Sequence, residues 1–169
     1  MSAIDDKYAA LGGPGGFLGH PVDEGAGSAE MDTADRRGRV RDFRGGSIYW
    51  SPATGAFEVH GDIRLKWGQL GGTRSFLGFP VTDELGTPDG VGRFNHFQGG
   101  SIYWTPNTGA HEVHGAIRDH WASMGWETSF LRYPTTDERP DGVGRFSQFQ
   151  GGSIHWTPDG RIEVRQRID

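Results

Sequence analysis

The sequence predicts an α+β repeat protein in which a single domain over residues 1–169 contains three similar units. Three observations support this prediction: a six-residue motif occurs three times, a proline corner precedes each copy, and a helix-like apolar pattern opens each unit. The units run over residues 1–60, 61–114 and 115–169. Units this short bury too little apolar surface to fold alone, so we expect one domain in which each unit contributes a short helix and a small antiparallel sheet.

A short amphipathic helix is predicted at the start of each unit. Apolar residues recur at positions i, i+4 and i+7 and a glycine follows, which is typical of a two-turn helix with a glycine stop. The matching positions are Ile4, Tyr8, Leu11 and Gly12; Ile63, Trp67, Leu70 and Gly71; and Ile117, Trp121, Met124 and Gly125. We expect Trp67 and Trp121 in the core, because large aromatic side chains are mostly buried.

A Leu-x-x-Pro corner, an aspartate and an Arg-x-x-x-Phe segment follow the helix in each unit. The corners span residues 18–21, 77–80 and 131–134, the aspartates are Asp35, Asp89 and Asp141, and the arginines are Arg39, Arg93 and Arg145. Residues 25–33 have no counterpart in the other units and predict a loop insertion. The run Asp89-Gly90-Val91-Gly92 predicts a turn that the aspartate side chain closes, because the lysine of a nucleotide-binding loop does not follow it.

A β-hairpin is predicted at each copy of the motif Gly-Gly-Ser-Ile-(Tyr/His)-Trp. The copies begin at Gly45, Gly99 and Gly151. In the second unit the turn-forming residues 105–109 separate the two strands. The register that we predict there has the pairs Trp104–His111, Tyr103–Glu112 and Ile102–Val113.

Because successive side chains on a strand point to opposite faces, this register gives each hairpin one apolar and one mixed face. The apolar face is expected in the core and carries Ile48, Trp50, Ile102, Trp104, Ile154 and Trp156. The mixed face pairs a ring with a carboxylate: Tyr49 with Glu58, Tyr103 with Glu112, and His155 with Glu163. Such a pair suits a sugar, whose C–H face packs on a ring and whose hydroxyls donate to a carboxylate. A cross-strand pair that only stabilises the sheet explains the same pattern.

The arginines and aspartates are further candidate carbohydrate-binding residues. The residues Arg39, Arg93 and Arg145 either donate to the same ligand or form structural ion pairs with Asp35, Asp89 and Asp141. No catalytic residue, metal site or cofactor is predicted. His111 and His114 have a metal-like spacing, but on a strand they point to opposite faces and do not converge on zinc.

Composition excludes several classes of function. The chain has 17 basic and 22 acidic side chains and a net charge of −5, so nucleic acid is not an expected partner. It has no cysteine for a disulfide or a thiolate metal site, and no apolar run long enough to span a membrane. The first residues lack the basic and apolar regions of a signal peptide.

The second unit resembles the LGFP repeat family. The resemblance rests on Leu77-Gly78-Phe79-Pro80, Asp89-Gly90-Val91-Gly92-Arg93-Phe94 and Gly100-Ser101-Ile102-Tyr103-Trp104, and it extends over almost the whole chain. The corners of the other units are Leu18-Gly19-His20-Pro21 and Leu131-Arg132-Tyr133-Pro134. The resemblance implies repeats arranged around a pseudo-symmetric axis like the blades of a small propeller. It also implies a module of actinobacterial envelope proteins that holds enzymes on the wall polysaccharide.

The expected function is therefore non-catalytic, lectin-like binding of a cell-wall polysaccharide such as arabinogalactan, with weak sites that gain from multivalency. The resemblance indicates an extracellular or cell-wall location, and the sequence leaves a cytoplasmic one open. The alternative function is a structural or protein-interaction module. Such a module would dock on a fused envelope enzyme or form a homodimer through unpaired ends.

Overall fold

A computed structural model describes residues 2–22 and 30–168 of the chain. The chain divides into two compact units, one of residues 1–85 and 95–98 and the other of residues 86–94 and 99–169. Of the predicted insertion over residues 25–33, residues 25–29 lie outside the described part, whereas Met31–Asp32 form the first β-strand.

Each repeat contributes one helix and one open, four-stranded antiparallel sheet, which confirms the α+β repeat architecture. The helices are α1 (Ala3–Ala10), α2 (Gly61–Leu70) and α3 (Gly115–Met124). The first sheet has the order β1 (Met31–Asp32), β2 (Arg39–Phe43), β3 (Gly46–Ser51), β4 (Gly55–Val59). The second has the order β5 (Leu85–Gly86), β6 (Arg93–Phe97), β7 (Gly100–Thr105), β8 (Gly109–His114). The third has the order β9 (Arg139–Asp141), β10 (Gly144–Phe149), β11 (Gly152–Trp156), β12 (Ile162–Gln166).

A glycine ends the second and third helices, as the sequence predicts. Gly71 and Gly125 have φ angles of 118° and 109°, a left-handed conformation that favours glycine. Trp67 and Trp121 are buried on the inner side of these helices. The indole Nε1 of Trp67 donates a hydrogen bond of 3.1 Å to the carbonyl of Gly78. Within the described residues, the buried Nε1 of Trp121 has no hydrogen-bond partner.

The proline corner that follows each helix pairs with the last residue of a central strand. Single β-bridges join Pro21 to Phe43, Pro80 to Phe97 and Pro134 to Phe149. Tyr133 of the third corner packs against Gly92, and a Cβ on that glycine would lie 2.7 Å from the tyrosine ring. Gly92 therefore allows the corner to approach the Asp-Gly-Val-Gly turn closely.

The isoleucines of the repeated motif lie in the core, as predicted, whereas the tryptophans of the motif are half-buried. The buried isoleucines are Ile48, Ile102 and Ile154, and the half-buried tryptophans are Trp50, Trp104 and Trp156. The core of the second compact unit contains Tyr103, Val113, Ile117, Trp121, Leu131, Tyr133, Phe149 and Ile154. Helix α3 contacts β7 and β8 of the second sheet and β11 and β12 of the third, so one helix covers strands of two sheets.

The predicted hairpin register is wrong by one residue in the first two sheets. The second sheet has the pairs Tyr103–His111, Ile102–Glu112 and Ser101–Val113, and the first has Tyr49–Phe57, Ile48–Glu58 and Ser47–Val59. Tyr103 and Glu112 thus point to opposite faces. The third sheet has the predicted register, with the pairs Trp156–Ile162, His155–Glu163 and Ile154–Val164.

The difference in register arises from the number of residues between the hairpin loop and the glutamate of the outgoing strand. Three residues form the loop in both sheets, because Thr105 pairs with Gly109 and the Thr157 N–H donates to the Arg161 carbonyl. Two residues separate Gly109 from Glu112 in the second repeat, whereas one residue separates Arg161 from Glu163 in the third. Since strand side chains alternate, one residue fewer moves this glutamate to the other face.

The two helix tryptophans provide a matched test of the hydrogen bond to the corner. We expect Trp67→Phe to lower the free energy of unfolding by about 1 kcal/mol more than Trp121→Phe, because only the former leaves a carbonyl without its donor. Urea denaturation of both variants measures the difference. Equal losses would show that the Trp67 hydrogen bond does not contribute to stability.

Candidate functional site

Of the two tyrosines on the predicted sugar-binding face, Tyr103 belongs to the core and Tyr49 is half-buried. Tyr103 is 2% exposed, stacks on Phe94 with ring centroids 4.9 Å apart and meets the edge of Trp121 at 4.8 Å. Burial raises the pKa of the Tyr103 hydroxyl. Tyr49 is half-buried and meets the edge of Trp67 at 4.7 Å. The buried Tyr103 ring cannot stack on a ligand. In both sheets the observed register places tyrosine and glutamate on opposite faces, so the Tyr–Glu pairs do not form the predicted surface.

The glutamates of these pairs are buried on the opposite face, where each binds the segment after the next corner. Glu112 is 2% exposed, and its Oε1 accepts a hydrogen bond of 2.9 Å from the backbone N–H of Glu138. Glu58 accepts a bond of 2.8 Å from the backbone N–H of Glu84 in the same way. These carboxylates therefore position the acidic residue behind the corner.

A histidine bridges the two carboxylates in both repeats. In His114, Nδ1 lies 2.7 Å from Glu112 and Nε2 lies 3.2 Å from Glu138. In His60, the corresponding distances are 2.7 Å to Glu58 and 3.0 Å to Glu84. Both ring nitrogens of a histidine can donate only when the ring carries its proton, so this geometry suits the cation.

The electrostatics of the two bridges favour charged histidines. Hydrogen bonds to Glu58 and Glu84 raise the pKa of His60 to about 9, against the effect of burial. Burial also opposes the charge of His114, but hydrogen bonds to Glu112 and Glu138 outweigh it and raise its pKa to about 9. Opposite charges at hydrogen-bond distance thus offset the desolvation of the imidazolium.

Arg145 extends the His114 bridge toward solvent. Its Nε donates a bond of 3.0 Å to Glu138 Oε2, and its Nη2 donates one of 3.4 Å to the Glu138 carbonyl. Burial favours the neutral form of Glu138, yet the bonds from His114 and Arg145 lower its pKa. The four side chains Glu112, His114, Glu138 and Arg145 therefore combine two negative and two positive charges.

The predicted Arg–Asp ion pairs are wrong in the first and third repeats. Arg39 pairs with Asp32 at 2.5 Å and donates to the Glu30 carbonyl at 3.1 Å, whereas Arg145 pairs with Glu138. In the second repeat, the Arg93 guanidinium lies against Gly86 of β5, 3.2 Å from the position that a Cβ on that glycine would take.

The aspartates Asp35 and Asp89 accept hydrogen bonds that close turns, and Asp89 also accepts one from a tyrosine. Asp35 and Asp89 accept from the backbone N–H groups of Arg37 and Val91, at 3.1 and 3.0 Å, and each bond closes a turn. The turn at Asp89 is the one that the sequence predicts. Tyr133 Oη donates to Asp89 at 2.7 Å. Burial acts against ionisation, but hydrogen bonds from Thr87, Val91 and Tyr133 lower the pKa of Asp89.

The third predicted pair, His155 and Glu163, does lie side by side on one face of its sheet. His155 Nδ1 lies 2.8 Å from Asp141 Oδ2. Glu163 is exposed and pairs with Arg165 at 3.0 Å.

A cleft of about 200 Å³ opens at the His114 bridge. Its lining consists of His114, Gly115, Ala116, Ile117, Glu138, Arg145 and Trp156. It contains the half-buried ring of Trp156 and the first turn of α3, whose N-terminus is not capped by any side chain among the described residues. An aromatic ring, a carboxylate, two cationic donors and helix amides thus meet in one depression.

The proximity of His114, Glu138 and Trp156 in one site is not predicted from the sequence. Two repeated signals mark them: Glu-Val-His-Gly at residues 58–61 and 112–115, and Asp-Glu behind the corner at residues 83–84 and 137–138. The incorrect register concealed their relation, because it directed Glu112 toward the face of Tyr103.

The family model described as LGFP repeat matches the chain over residues 18–75, 77–129 and 131–168. The chain belongs to the LGFP repeat family. Each matched segment begins at or beside the leucine of a corner, so an LGFP repeat as the family defines it starts at the corner and not at the helix. A comparison with curated proteins finds no match.

The described part of this LGFP repeat protein comprises residues 2–22 and 30–168. None of the helices found there is long and apolar enough to cross a lipid bilayer. Over the same ranges, no three or more histidine, aspartate or glutamate side chains gather in a group that could hold a metal ion.

The two histidine bridges predict that stability falls at alkaline pH. The folded-state pKa of both histidines, about 9, lies above the unfolded value of 6.5. Their stabilising effect is therefore complete below pH 6.5 and is lost as the pH rises through 9. We expect the free energy of unfolding, measured with urea, to fall over this range by on the order of 3 kcal/mol per histidine.

A pair of histidine variants assigns this effect. His114→Gln should remove about half of the pH dependence, since one of two bridges remains. His120→Gln, on α3 but outside the bridge, should leave the dependence as it is. A flat pH profile of the unmodified protein would contradict charged histidines in the folded state.

Proposed function

We propose that this LGFP repeat protein binds carbohydrate and that the cleft at His114, Glu138, Arg145 and Trp156 is a sugar site. The observation that supports this proposal is the meeting of the Trp156 ring with charged hydrogen-bonding groups in one cleft. A sugar needs both, because its C–H face packs on an aromatic ring while its hydroxyls donate and accept hydrogen bonds. Charge-assisted bonds of this kind are the stronger ones.

The size and charge of the cleft favour a neutral sugar residue. Its volume of about 200 Å³ is below the roughly 300–1,000 Å³ of pockets for drug-sized ligands, so we expect it to receive one residue of a chain. The two carboxylates and two cations around it balance, which leaves no net charge to attract an anionic ligand.

Binding without cleavage fits the lowered pKa of Glu138, the carboxyl group that lines the cleft. Glycoside hydrolysis uses a carboxylic acid that keeps its proton near neutral pH. Glu138 has the opposite tendency, because His114 and Arg145 lower its pKa. We therefore propose a lectin-like, non-catalytic role for this cleft.

Membership in the LGFP family supports cell-wall polysaccharide, such as arabinogalactan, as the ligand, and an extracellular or cell-wall location. A polymer would offer many equal residues to a repeat protein, and weak sites gain from such multivalency. The propeller-like arrangement of the repeats and the homodimer both stay predictions.

A pull-down on insoluble cell walls, with and without their arabinogalactan layer, tests this function. We expect retention that depends on the layer and is competed by a soluble sugar of the layer. Arg145→Gln should weaken retention about tenfold or more, because it removes a charged donor from the cleft. Arg139→Gln, which makes the same change in charge on exposed β9 outside the cleft, is the matched control and should be retained normally.

Two outcomes would contradict the proposal in different ways. Equal retention of folded Arg145→Gln and Arg139→Gln would show that sugar binds elsewhere. Absence of retention on both wall preparations would favour the interaction module, for which light scattering behind size exclusion would then report self-association.

A further inference from the structure

The third sheet carries a serine, a histidine and an aspartate in hydrogen-bonded sequence. Ser153 Oγ lies 2.9 Å from Nε2 of His155, and Nδ1 of the same ring lies 2.8 Å from Asp141 Oδ2. Ser153 and His155 are two residues apart on β11, so their side chains share one face of the sheet. A hydroxyl next to a base that a third group orients is the geometric signature of an activated nucleophile.

This arrangement is specific to the third repeat. Tyrosines 49 and 103 occupy the position of His155 in the other repeats. Ser101, the counterpart of Ser153, is fully buried and accepts a bond of 2.8 Å from the cationic Arg118 Nε. The serine occurs in every repeat, whereas a histidine two residues after it occurs only in the third.

Phe146 and Asp141 contact the His155 ring on its face and at its Nδ1, and Ser153 lines a pocket. The ring of Phe146 stacks on His155 with centroids 5.4 Å apart and planes 8° apart, and the His155 side chain is 14% exposed. The Asp141 side chain is 48% exposed and anchors the far nitrogen. Ser153 lines a pocket of about 380 Å³ in the second compact unit.

Two donors flank the serine on the same face of the sheet. Gln148 on β10 and Arg165 on β12 are the direct cross-strand neighbours of Ser153, and both line the pocket. Directly opposed side chains have Cβ atoms about 5 Å apart, which brings the Gln148 amide within reach of an oxygen bound at the serine. Arg165 donates to Glu163 through Nε and Nη2, which leaves its Nη1 for such an oxygen. Side chains of this kind stabilise the oxyanion of acyl transfer.

We propose that the third repeat hydrolyses carboxylic esters, with Ser153 as nucleophile, His155 as general base and Asp141 as the group that orients His155. Ser153 Oγ attacks the ester carbonyl carbon and its proton passes to His155 Nε2. The bond from that carbon to the alcohol oxygen breaks, and the alcohol leaves with the proton from His155. Water then attacks the acyl group and gives a proton to His155, and the acid departs as Ser153 Oγ regains that proton.

The pocket indicates the class of ester. Its lining includes Gln148, Gln150, Gln166, Arg165 and Arg167, with Phe149 as an aromatic contribution. Amide and guanidinium groups suit a hydroxylated alcohol more than a long alkyl chain. We therefore assign short acyl esters of polyhydroxylated alcohols as the substrate class. This site is separate from the His114 cleft and does not depend on sugar binding there.

A fluorophosphonate probe tests the nucleophile, since an activated serine oxygen bonds to its phosphorus and releases fluoride. We expect one label per chain, located at Ser153 by peptide mass spectrometry, and release of nitrophenol from p-nitrophenyl acetate. Ser153→Ala should abolish both signals. Ser123→Ala, on the exposed surface of α3, is the matched control and should retain them.

His155→Tyr separates loss of the base from loss of the fold, because tyrosine occupies this position in the other repeats. We expect it to keep its melting temperature and its retention on cell walls while labelling falls at least tenfold; Asp141→Asn should lower labelling less. Absence of label on the folded protein, label at other serines, or equal labelling of Ser153→Ala and Ser123→Ala would overturn the proposal. Arg145→Gln should label normally, so failure of sugar binding and failure of this site are distinguishable.

Discussion

The register of the β-hairpins is the constraint on which both candidate sites depend. A three-residue loop closes the hairpin in the second and third sheets, but one residue fewer follows it in the third. The glutamate of the outgoing strand therefore points toward Ile102 in the second sheet and toward the side of His155 in the third. The first arrangement builds a buried carboxylate bridge, and the second leaves a polar face with a serine and a histidine.

The buried glutamate couples the fold to the proposed sugar site. Glu112 accepts from the backbone of Glu138 and from the ring of His114, so one side chain holds both the hairpin end and the segment behind the next corner. The cleft groups His114 and Glu138 are thereby fixed before a ligand arrives, which lowers the entropic cost of binding. The buried carboxylate of Glu112 is tolerated because a backbone N–H and a histidine ring satisfy it.

Much of the fold could be predicted from sequence because it depends on local patterns. The spacing from Ile117 to Gly125 predicts α3 and its end, and the aspartate-closed turn at Asp89 follows from its own neighbours. The strand partner of Tyr103 depends on the length of the hairpin loop, which the sequence does not fix to within one residue. The predicted loop length is wrong by one, so Tyr103 is expected on the surface although it lies in the core. The contact of Arg145 with Glu138 requires the corner to fold back beside β10, which strand alternation alone does not give.

Cross-strand NOEs between backbone protons in isotope-labelled protein test the register most directly, since opposed residues have Cα atoms about 4.5–5.5 Å apart. We expect contacts of Tyr103 with His111 in the second sheet and of His155 with Glu163 in the third. A contact of Tyr103 with Glu112 would contradict the observed register, because the residues of the two hairpins would then pair in the same way and the carboxylate bridge to His114 would not form.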